Sequence, residues 1–233
     1  MIPFSKILTY GNIAPEKMIL DVDYSTQEIG STGVPDRAGN QFLQRSQIGT
    51  INPVAGTVVY DDEIGSNVLD CTNSSAYFRT LNPVKGTKLD FSLYNAFDIE
   101  YRMKCSPIGG QALFETGNYN SRRISGFVNA FNQYSSTYNQ VFIDWGNNYA
   151  RVLPTWANPN AWDTIKMEFR KGISITVHSE LFNETQTFPW YQILSPVNQY
   201  FSLFGSYVDG DNNANPVLFK GRIQYIKMRE VQI

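Results

Sequence analysis

The chain has 233 residues, the size of one large all-β domain, and 42% of them are hydrophobic, enough to form a sizeable core. Only 17% are charged and the net charge is −2, which, without any basic block, argues against a nucleic-acid partner. No apolar run approaches the roughly 20 residues that span a bilayer, and the N-terminus does not resemble a secretory signal, so neither membrane insertion nor a leader is predicted.

Residues 1–18 are predicted to form an N-terminal arm, interrupted by Pro3, Gly11 and Pro15. Residues 19–233 then form one domain made of short strands separated by turn-rich loops. In chain order the predicted strands are 18–22, 57–60, 67–71, 76–81, 97–103, 112–115, 123–128, 140–145, 151–153, a hairpin over 161–178, 201–205 and 218–228, the last with a bulge. One helical turn is predicted at 195–200, and no long helix.

Strict alternation makes two of these elements especially clear. Residues 97–104 alternate large apolar with charged side chains, as a strand with one dry and one wet face requires. The same pattern runs through 165–170, turns at Lys171-Gly172 and is expected to resume at Ile173, Ile175 and Val177. Together the short strands predict an all-β fold, an antiparallel two-sheet sandwich.

The order of several motifs resembles the laminin G-like, concanavalin A-like jelly-roll family over residues 20–233. The motifs are LDVDYSTQEIGSTGVPDRAGNQ, FDIEYRMK, ALFETG, the hairpin that follows Trp162, and the closing FSLFG and FKGRIQYIKM. The resemblance implies a concanavalin A-like jelly roll and no particular activity. Trp162, at the entrance of the hairpin, is predicted to be a core anchor. Since domains of this kind occur in phage virions without a signal peptide, the resemblance also implies a virion or a bacterial surface as the location.

The glucanases of this fold carry three carboxylates in a Glu-x-Asp-x-Glu strand, where one is the nucleophile and another the acid/base. Here the corresponding strand has Ala96, Asp98 and Glu100. Because the first carboxylate is missing, the retaining mechanism fails, and a solvated strand face explains the other two. The single histidine, His178, has no GxSxG motif to accompany it, so no catalytic residue is predicted.

Sugar binding needs an aromatic platform beside amide or carboxylate groups, and several loops of the sequence offer that pairing. The predicted ligand-binding residues are Tyr119, Tyr134, Tyr138, Trp145 and Trp156. Two alternatives remain open: the tryptophans serve as core anchors, or the tyrosine-rich loop 129–140 forms a protein–protein surface.

Oxygen-bearing side chains are concentrated in the run Asp209, Asp211 and Asn213, which predicts calcium as the one candidate cofactor. The alternative is ordinary turn composition. Cys71 and Cys105 do not form a metal-binding motif and are predicted to be buried free thiols, with a single disulfide between them as the alternative.

These observations favour a non-catalytic virion structural protein, a decoration, fibre or tail component that recognises a host glycan. Its expected partners are other virion proteins, further copies of itself and a cell-surface glycan, and its expected place is the virion surface or, failing that, a bacterial or extracellular surface. Two alternatives are carried forward, an assembly module without ligand and a glycoside hydrolase of the same fold.

Overall fold

A computed structural model describes residues 17–46, 50–105, 111–116, 124–128, 139–145, 148–152, 161–189, 200–206 and 217–233. Among these residues there are seventeen strands, one short 3-10 turn and no α-helix. The strands are β1 Lys17–Asp23, β2 Phe42–Ser46, β3 Thr57–Asp61, β4 Ser66–Asp70, β5 Ala76–Thr80, β6 Ala96–Cys105, β7 Gln111–Thr116, β8 Ile124–Val128, β9 Asn139–Trp145, β10 Asn148–Val152, β11 Asp163–Arg170, β12 Ser174–Ser179, β13 Glu184–Pro189, β14 Phe201–Leu203, β15 Gly205–Ser206, β16 Val217–Leu218 and β17 Gly221–Glu230. The 3-10 turn is Phe91–Leu93.

The strands form two antiparallel sheets, which confirms the predicted all-β sandwich of jelly-roll type. Sheet A has the order β13-β12-β11-β6-β17-β4-β3, with β1 also paired to β17, and sheet B has the order β10-β9-β8-β7-β14-β5-β2. A further two-stranded ribbon joins β15 and β16. Because β17 is long, one of its edges accommodates both β1 and β4.

The core lies between the two sheets and is rich in aromatic rings. In β6 the side chains of Phe97, Ile99, Tyr101 and Met103 are buried in it, as the alternation predicts. Tyr101 of sheet A meets Phe114 of sheet B edge to face, with ring centroids 6.0 Å apart. Burial of such rings is the main stabilising contribution to a sandwich of this size.

The predicted hairpin is formed by β11 and β12, but it resumes one residue later than expected. Ile175 and Val177 are buried, whereas Ile173 is 70% exposed in the connecting turn. The prediction for Ile173 was therefore wrong, because three turn residues, not two, connect the strands. Trp162, before β11, is buried as predicted.

The predicted bulge in the last strand is confirmed at Ile223/Tyr225. The extra residue turns both Gln224 and Tyr225 away from the core, since the inward alternation resumes only at Ile226. On that outer face Gln224 accepts a hydrogen bond from Arg102 and the Tyr225 hydroxyl donates to Glu100, at 3.1 Å and 2.7 Å.

Both cysteines are free and buried, Cys105 as the last residue of β6 and Cys71 directly after β4, the two strands that flank β17 at Gly221. Cys105 pairs with Gly221 in the β6–β17 ladder, and the Cys71 amide donates to the Gly221 carbonyl from the other side. Strands two apart are separated by about 10 Å, beyond the roughly 7 Å limit for a disulfide. The predicted free thiols are confirmed.

We expect both thiols to be unreactive in the folded protein. Burial raises the pKa of Cys105 to about 12 and raises that of Cys71 further still, so little thiolate forms at ordinary pH. Titration with a disulfide-exchange reagent at pH 8 should label neither cysteine before unfolding and both in denaturant. Rapid labelling of the native protein, or a thiol count of zero after unfolding, would contradict this arrangement.

Candidate functional site

Sheet A turns a densely charged face to solvent, and its charges neutralise one another. This charged face consists of Asp98, Glu100, Arg102, Lys166, Glu168, Arg170, Lys227 and Arg229. Across four strands the residues Lys166, Glu100, Lys227 and Asp21 stand opposite one another in register and alternate in sign. Opposite charges in such cross-strand positions stabilise a sheet, and this stabilisation is enough to explain why the charged residues are there.

The two carboxylates of the glucanase-like strand lie on this charged face. Asp98 accepts a hydrogen bond from Arg170 at 2.7 Å and lies 3.4 Å from the Arg229 guanidinium, while Glu100 accepts from Tyr225. A cleft of only about 90 Å³ lies beside them. Ala96, two residues before Asp98 on the same strand, pairs with Arg170 of β11. The arrangement is that of ion-paired surface carboxylates.

A larger cleft, of about 200 Å³, lies where β5 ends and the loop before the 3-10 turn begins. We call it the neutral cleft. It is lined by Asn40, Gln41, Thr80, Leu81, Asn82, Pro83, Val84, Thr87 and Leu89. None of these described lining residues is charged, in contrast to the small cleft on sheet A.

Asp36 organises the first wall of the neutral cleft. One of its carboxylate oxygens accepts from the amides of Asp21 and Ala38, and the other accepts from the backbone amide and the side-chain amide of Asn40, both at 2.7 Å. The Asn40 side chain also donates to the Ile19 carbonyl at 2.9 Å, which ties the wall to β1. Hydrogen bonds from a short acidic side chain to nearby backbone amides favour such a turn.

Asp90 organises the second wall in the same way. Its carboxylate accepts from the Gly86 amide at 2.9 Å and from the Ser92 hydroxyl at 2.5 Å. Gly86 has a φ of +74°, a conformation that glycine adopts without strain. The Lys88 ammonium donates to the carbonyl of Ala38, so the second wall is bonded to the first. The cleft is therefore held open by hydrogen bonds within each wall and between the walls.

Two amide side chains of the cleft remain available to a ligand. Those of Gln41 and Asn82 are exposed and make no hydrogen bond to any described residue. Their own backbone carbonyls are occupied, by the Leu81 amide and the Thr80 hydroxyl. Beside them Leu81 is 45% exposed, so apolar surface and free amide groups adjoin in one preformed cavity.

A buried polar row crosses sheet B next to this cleft. Arg79, Ser202 and Glu115 are direct neighbours on β5, β14 and β7, on the face turned away from the core. The Arg79 guanidinium lies 3.9 Å from the centre of the Tyr200 ring, and the Ser202 hydroxyl, 1% exposed, has no hydrogen-bond partner among the described residues. Because the row is closed to solvent, the neutral cleft is the accessible candidate.

None of the described residues that line the neutral cleft was predicted from the sequence as a binding residue. Trp145 is the last residue of β9, opposite Asn148, and only its backbone is described. The other predicted sugar-binding residues and the predicted calcium ligands lie outside the described residues, and these predictions remain open. They are Tyr119, Tyr134, Tyr138 and Trp156 for sugar and Asp209, Asp211 and Asn213 for calcium.

Three further findings bear on earlier expectations. In the part of the chain that the structure describes, His178 lies on β12 with its Nδ1 2.9 Å from the Thr185 hydroxyl, and no group of three or more acidic, histidine or cysteine side chains is arranged to hold a metal ion. Within the same ranges no helix is long and apolar enough to cross a membrane.

The sequence analysis did not predict the neutral cleft, because it sought aromatic platforms and none of the described residues that line the cleft is aromatic. A signal was nevertheless present. Asp36 and Asp90 both lie within turn-rich segments, where an aspartate side chain readily bonds the backbone amide two residues on, as they do with Ala38 and Ser92. Two such loops indicate rigid walls, but nothing in the sequence indicates that they face each other.

The sequence matches no protein-family model and no curated protein. Solved structures are similar in fold at very low identity. Domain 4 of AbnA, a GH43 extracellular arabinanase from Geobacillus stearothermophilus solved in complex with arabinotriose, has a TM-score of 0.62 at 12% identity, and the match covers 92% of this chain and 93% of that one.

Binding domains of botulinum neurotoxins are similar as well. One, from neurotoxin DC in complex with rat synaptotagmin II, has a TM-score of 0.57 at 9% identity, and another, from type C, whose cell entry depends on two ganglioside molecules, has 0.58 at 8%. Each match covers 93% of this chain but 49% of the other, so the chain spans about half the length of those domains. At such identities the likeness shows the fold alone, a β-sandwich.

Proposed function

We propose that this protein is a non-catalytic carbohydrate-binding β-sandwich and that the neutral cleft is its binding site. The observation that carries the proposal is the pair of unengaged amide side chains, Gln41 and Asn82, beside the exposed Leu81 in a cleft whose described lining residues carry no charge. A sugar ring has an apolar face and a polar rim of hydroxyl groups. In this cavity Leu81 offers a surface for the apolar face, and the amides of Gln41 and Asn82 offer hydrogen bonds to the hydroxyl groups.

The rigidity of the walls supports the proposal. Sugars in water are well solvated, so a binding site gains affinity chiefly when its own groups need no reordering. Asp36 and Asp90 hold the two walls through several hydrogen bonds each, and Lys88 joins them. The free amides therefore stand on a preorganised frame and lose only their own side-chain freedom on binding.

The distribution of carboxylates supports a binding role over hydrolysis. Glycoside hydrolysis canonically needs two carboxyl groups that flank the scissile bond, whereas none of the described residues lining the neutral cleft has one. Asp98 and Glu100 lie on the charged face of sheet A, engaged by Arg170, Arg229 and Tyr225.

Titration with neutral oligosaccharides, arabinotriose among them, tests the proposal by calorimetry after a glycan-array survey. Asn82→Ala and Gln41→Ala should each weaken binding about tenfold, because each removes hydrogen bonds worth about 1–1.5 kcal/mol. Asn95→Ala is the matched control, since Asn95 is also an exposed amide but does not line the cleft; it should bind like the original protein.

Two results would count against the proposed site. If no sugar on the array is bound, the carbohydrate role fails. If sugars are bound but Asn82→Ala, Gln41→Ala and Asn95→Ala behave alike, the binding site lies elsewhere on the protein. The predicted virion role, with its particle partners and surface location, rests on the sequence and remains a prediction.

A further inference from the structure

We infer that Tyr200 is an aromatic platform that extends the neutral cleft, so that the ligand is an oligosaccharide with one sugar residue in the cleft and the next against the Tyr200 ring. The inference rests on the proposed function and makes it more specific. It follows from the strand register around Leu81, from the contact between Tyr200 and Arg79 and from the size of the cleft.

The strand register places Tyr200 next to the cleft. Ser202 of β14 pairs with Arg79 of β5, so two residues further along these antiparallel strands Tyr200 stands opposite Leu81. On the other side of Leu81, the Leu81 backbone amide donates to the Gln41 carbonyl. Gln41, Leu81 and Tyr200 therefore form a row across the ends of β2, β5 and β14, and the first two of them line the cleft.

A buried arginine supports the Tyr200 ring from one side. The Arg79 guanidinium lies 3.9 Å from the ring centre, and the attraction between a cation and an aromatic face holds the ring in place. Arg79 is only 6% exposed, whereas Tyr200 is partly exposed. Since the guanidinium covers one face of the ring, the ligand stacks on the opposite face, and the apolar face of a sugar ring fits such a flat surface.

The ring lies on the same side of sheet B as the exposed Leu81 side chain. Arg79 and Leu81 are two residues apart at the end of β5 and so point to the same face of the sheet. The Tyr200 ring, which contacts the Arg79 guanidinium, lies on that face as well. Leu81, 45% exposed, therefore provides a continuous apolar surface from the cleft to the ring.

Thr80 ties the platform to the cleft. Its hydroxyl accepts a hydrogen bond from the Phe201 amide at 3.3 Å and donates one to the Asn82 carbonyl at 2.9 Å. Thr80 itself lines the cleft. One side chain thus bonds the residue that follows Tyr200 and the residue that carries a free amide, so the distance between platform and cleft is fixed before a ligand arrives.

The cleft alone is too small for an oligosaccharide. Its volume of about 200 Å³ is below the roughly 300–1,000 Å³ of ordinary small-molecule sites, so a chain that places one sugar residue in it continues outside. Directly opposite residues of antiparallel strands lie about 5 Å apart. Tyr200 is one such step beyond Leu81, comparable to the spacing of adjacent sugar residues, so the next residue of the chain lies against the ring.

The test compares long and short ligands. An array of mono-, di- and trisaccharides of arabinose, glucose, galactose, mannose and xylose is probed with the full chain. Each bound trisaccharide is then titrated by calorimetry, and its monosaccharide is measured by competition with it. The trisaccharide should bind at least about tenfold more tightly than the monosaccharide. Tyr200→Ala should weaken the trisaccharide about tenfold and the monosaccharide less than about twofold, whereas Asn82→Ala should weaken both alike.

Three further variants isolate the role of the ring. Tyr200→Phe keeps the ring and should bind the trisaccharide like the original protein. Tyr200→Leu keeps an apolar cover over Arg79 without a flat ring and should bind like Tyr200→Ala, which guards against a loss of folding, checked by circular dichroism. Tyr60→Ala is the matched control, because Tyr60 is a 53% exposed tyrosine on β3, an edge strand of sheet A; it should change neither affinity.

The outcomes separate the inference from the function on which it rests. If the trisaccharide binds no better than the monosaccharide, or if Tyr200→Ala and Tyr200→Leu bind it like the original protein, the inference is overturned and carbohydrate binding stands. Equal weakening of both ligands by Tyr200→Ala, or a tenfold loss in Tyr200→Phe, also overturns it. If no sugar on the array is bound, the proposed function fails together with the inference.

Discussion

Replacing Gly221 with alanine is expected to lower the free energy of unfolding by about 3 kcal/mol, at the upper end of what overpacking costs. A Cβ atom at this position would lie 2.4 Å from the Lys104 carbonyl oxygen, 2.8 Å from the Cys105 Cα and 3.0 Å from the Phe219 ring. Two of these three atoms belong to the backbone of the neighbouring strand β6, which cannot move aside without breaking the ladder at the centre of sheet A.

Thermal unfolding followed by circular dichroism measures this effect. For a chain of this size 3 kcal/mol corresponds to a fall in Tm of about 6–12 °C. Gly172→Ala is the matched control: Gly172 has a φ of +73° and no atom within 4 Å of the added methyl group, so only the backbone conformation is penalised, at about 1–2 kcal/mol. If Gly221→Ala and Gly172→Ala have the same Tm, β6 and β17 do not approach as closely as described.

Phe97→Ala should be similarly or more destabilising, by about 3–5 kcal/mol, the cost of removing a large aromatic side chain from a packed core. Phe97 is fully buried and its ring is stacked on that of Phe169, with centroids 4.4 Å apart and an interplanar angle of 11°. A third ring, that of Phe91, lies 4.9 Å away. The substitution leaves a cavity between the Phe169 ring of sheet A and the Phe91 ring of the 3-10 turn.

Equilibrium unfolding in urea gives the free energy for this variant, and Leu93→Ala is its control. Leu93 is a large apolar residue that lies in the 3-10 turn close to Phe97 in sequence but is mostly exposed, so its removal should change the free energy by no more than about 0.5 kcal/mol. A small effect of Phe97→Ala, comparable to that of the control, would mean that the stacked rings do not form the centre of the core.

Alternation of apolar and charged residues predicted β6 and the hairpin of β11 and β12, and short runs between turn signals predicted most other strands. In β6 and β11 successive side chains point alternately to the core and to solvent, so a local pattern carries the information. The edge strand β13, residues 184–189, was not predicted, because it lacks this pattern. Its described side chains are largely exposed on both faces, and a strand without a buried face leaves no period of two to detect.

What the sequence alone determined was therefore the class of the fold and the orientation of individual strands, because both depend on residues close together in the chain. The tertiary structure decided the rest. It placed Cys71 and Cys105 on opposite sides of Gly221, and it brought residues 40–41 against residues 80–89 to form a cleft. Such contacts depend on which strands become neighbours across a sheet. That order is set by the packing of the whole core and cannot be read from any single segment of the sequence.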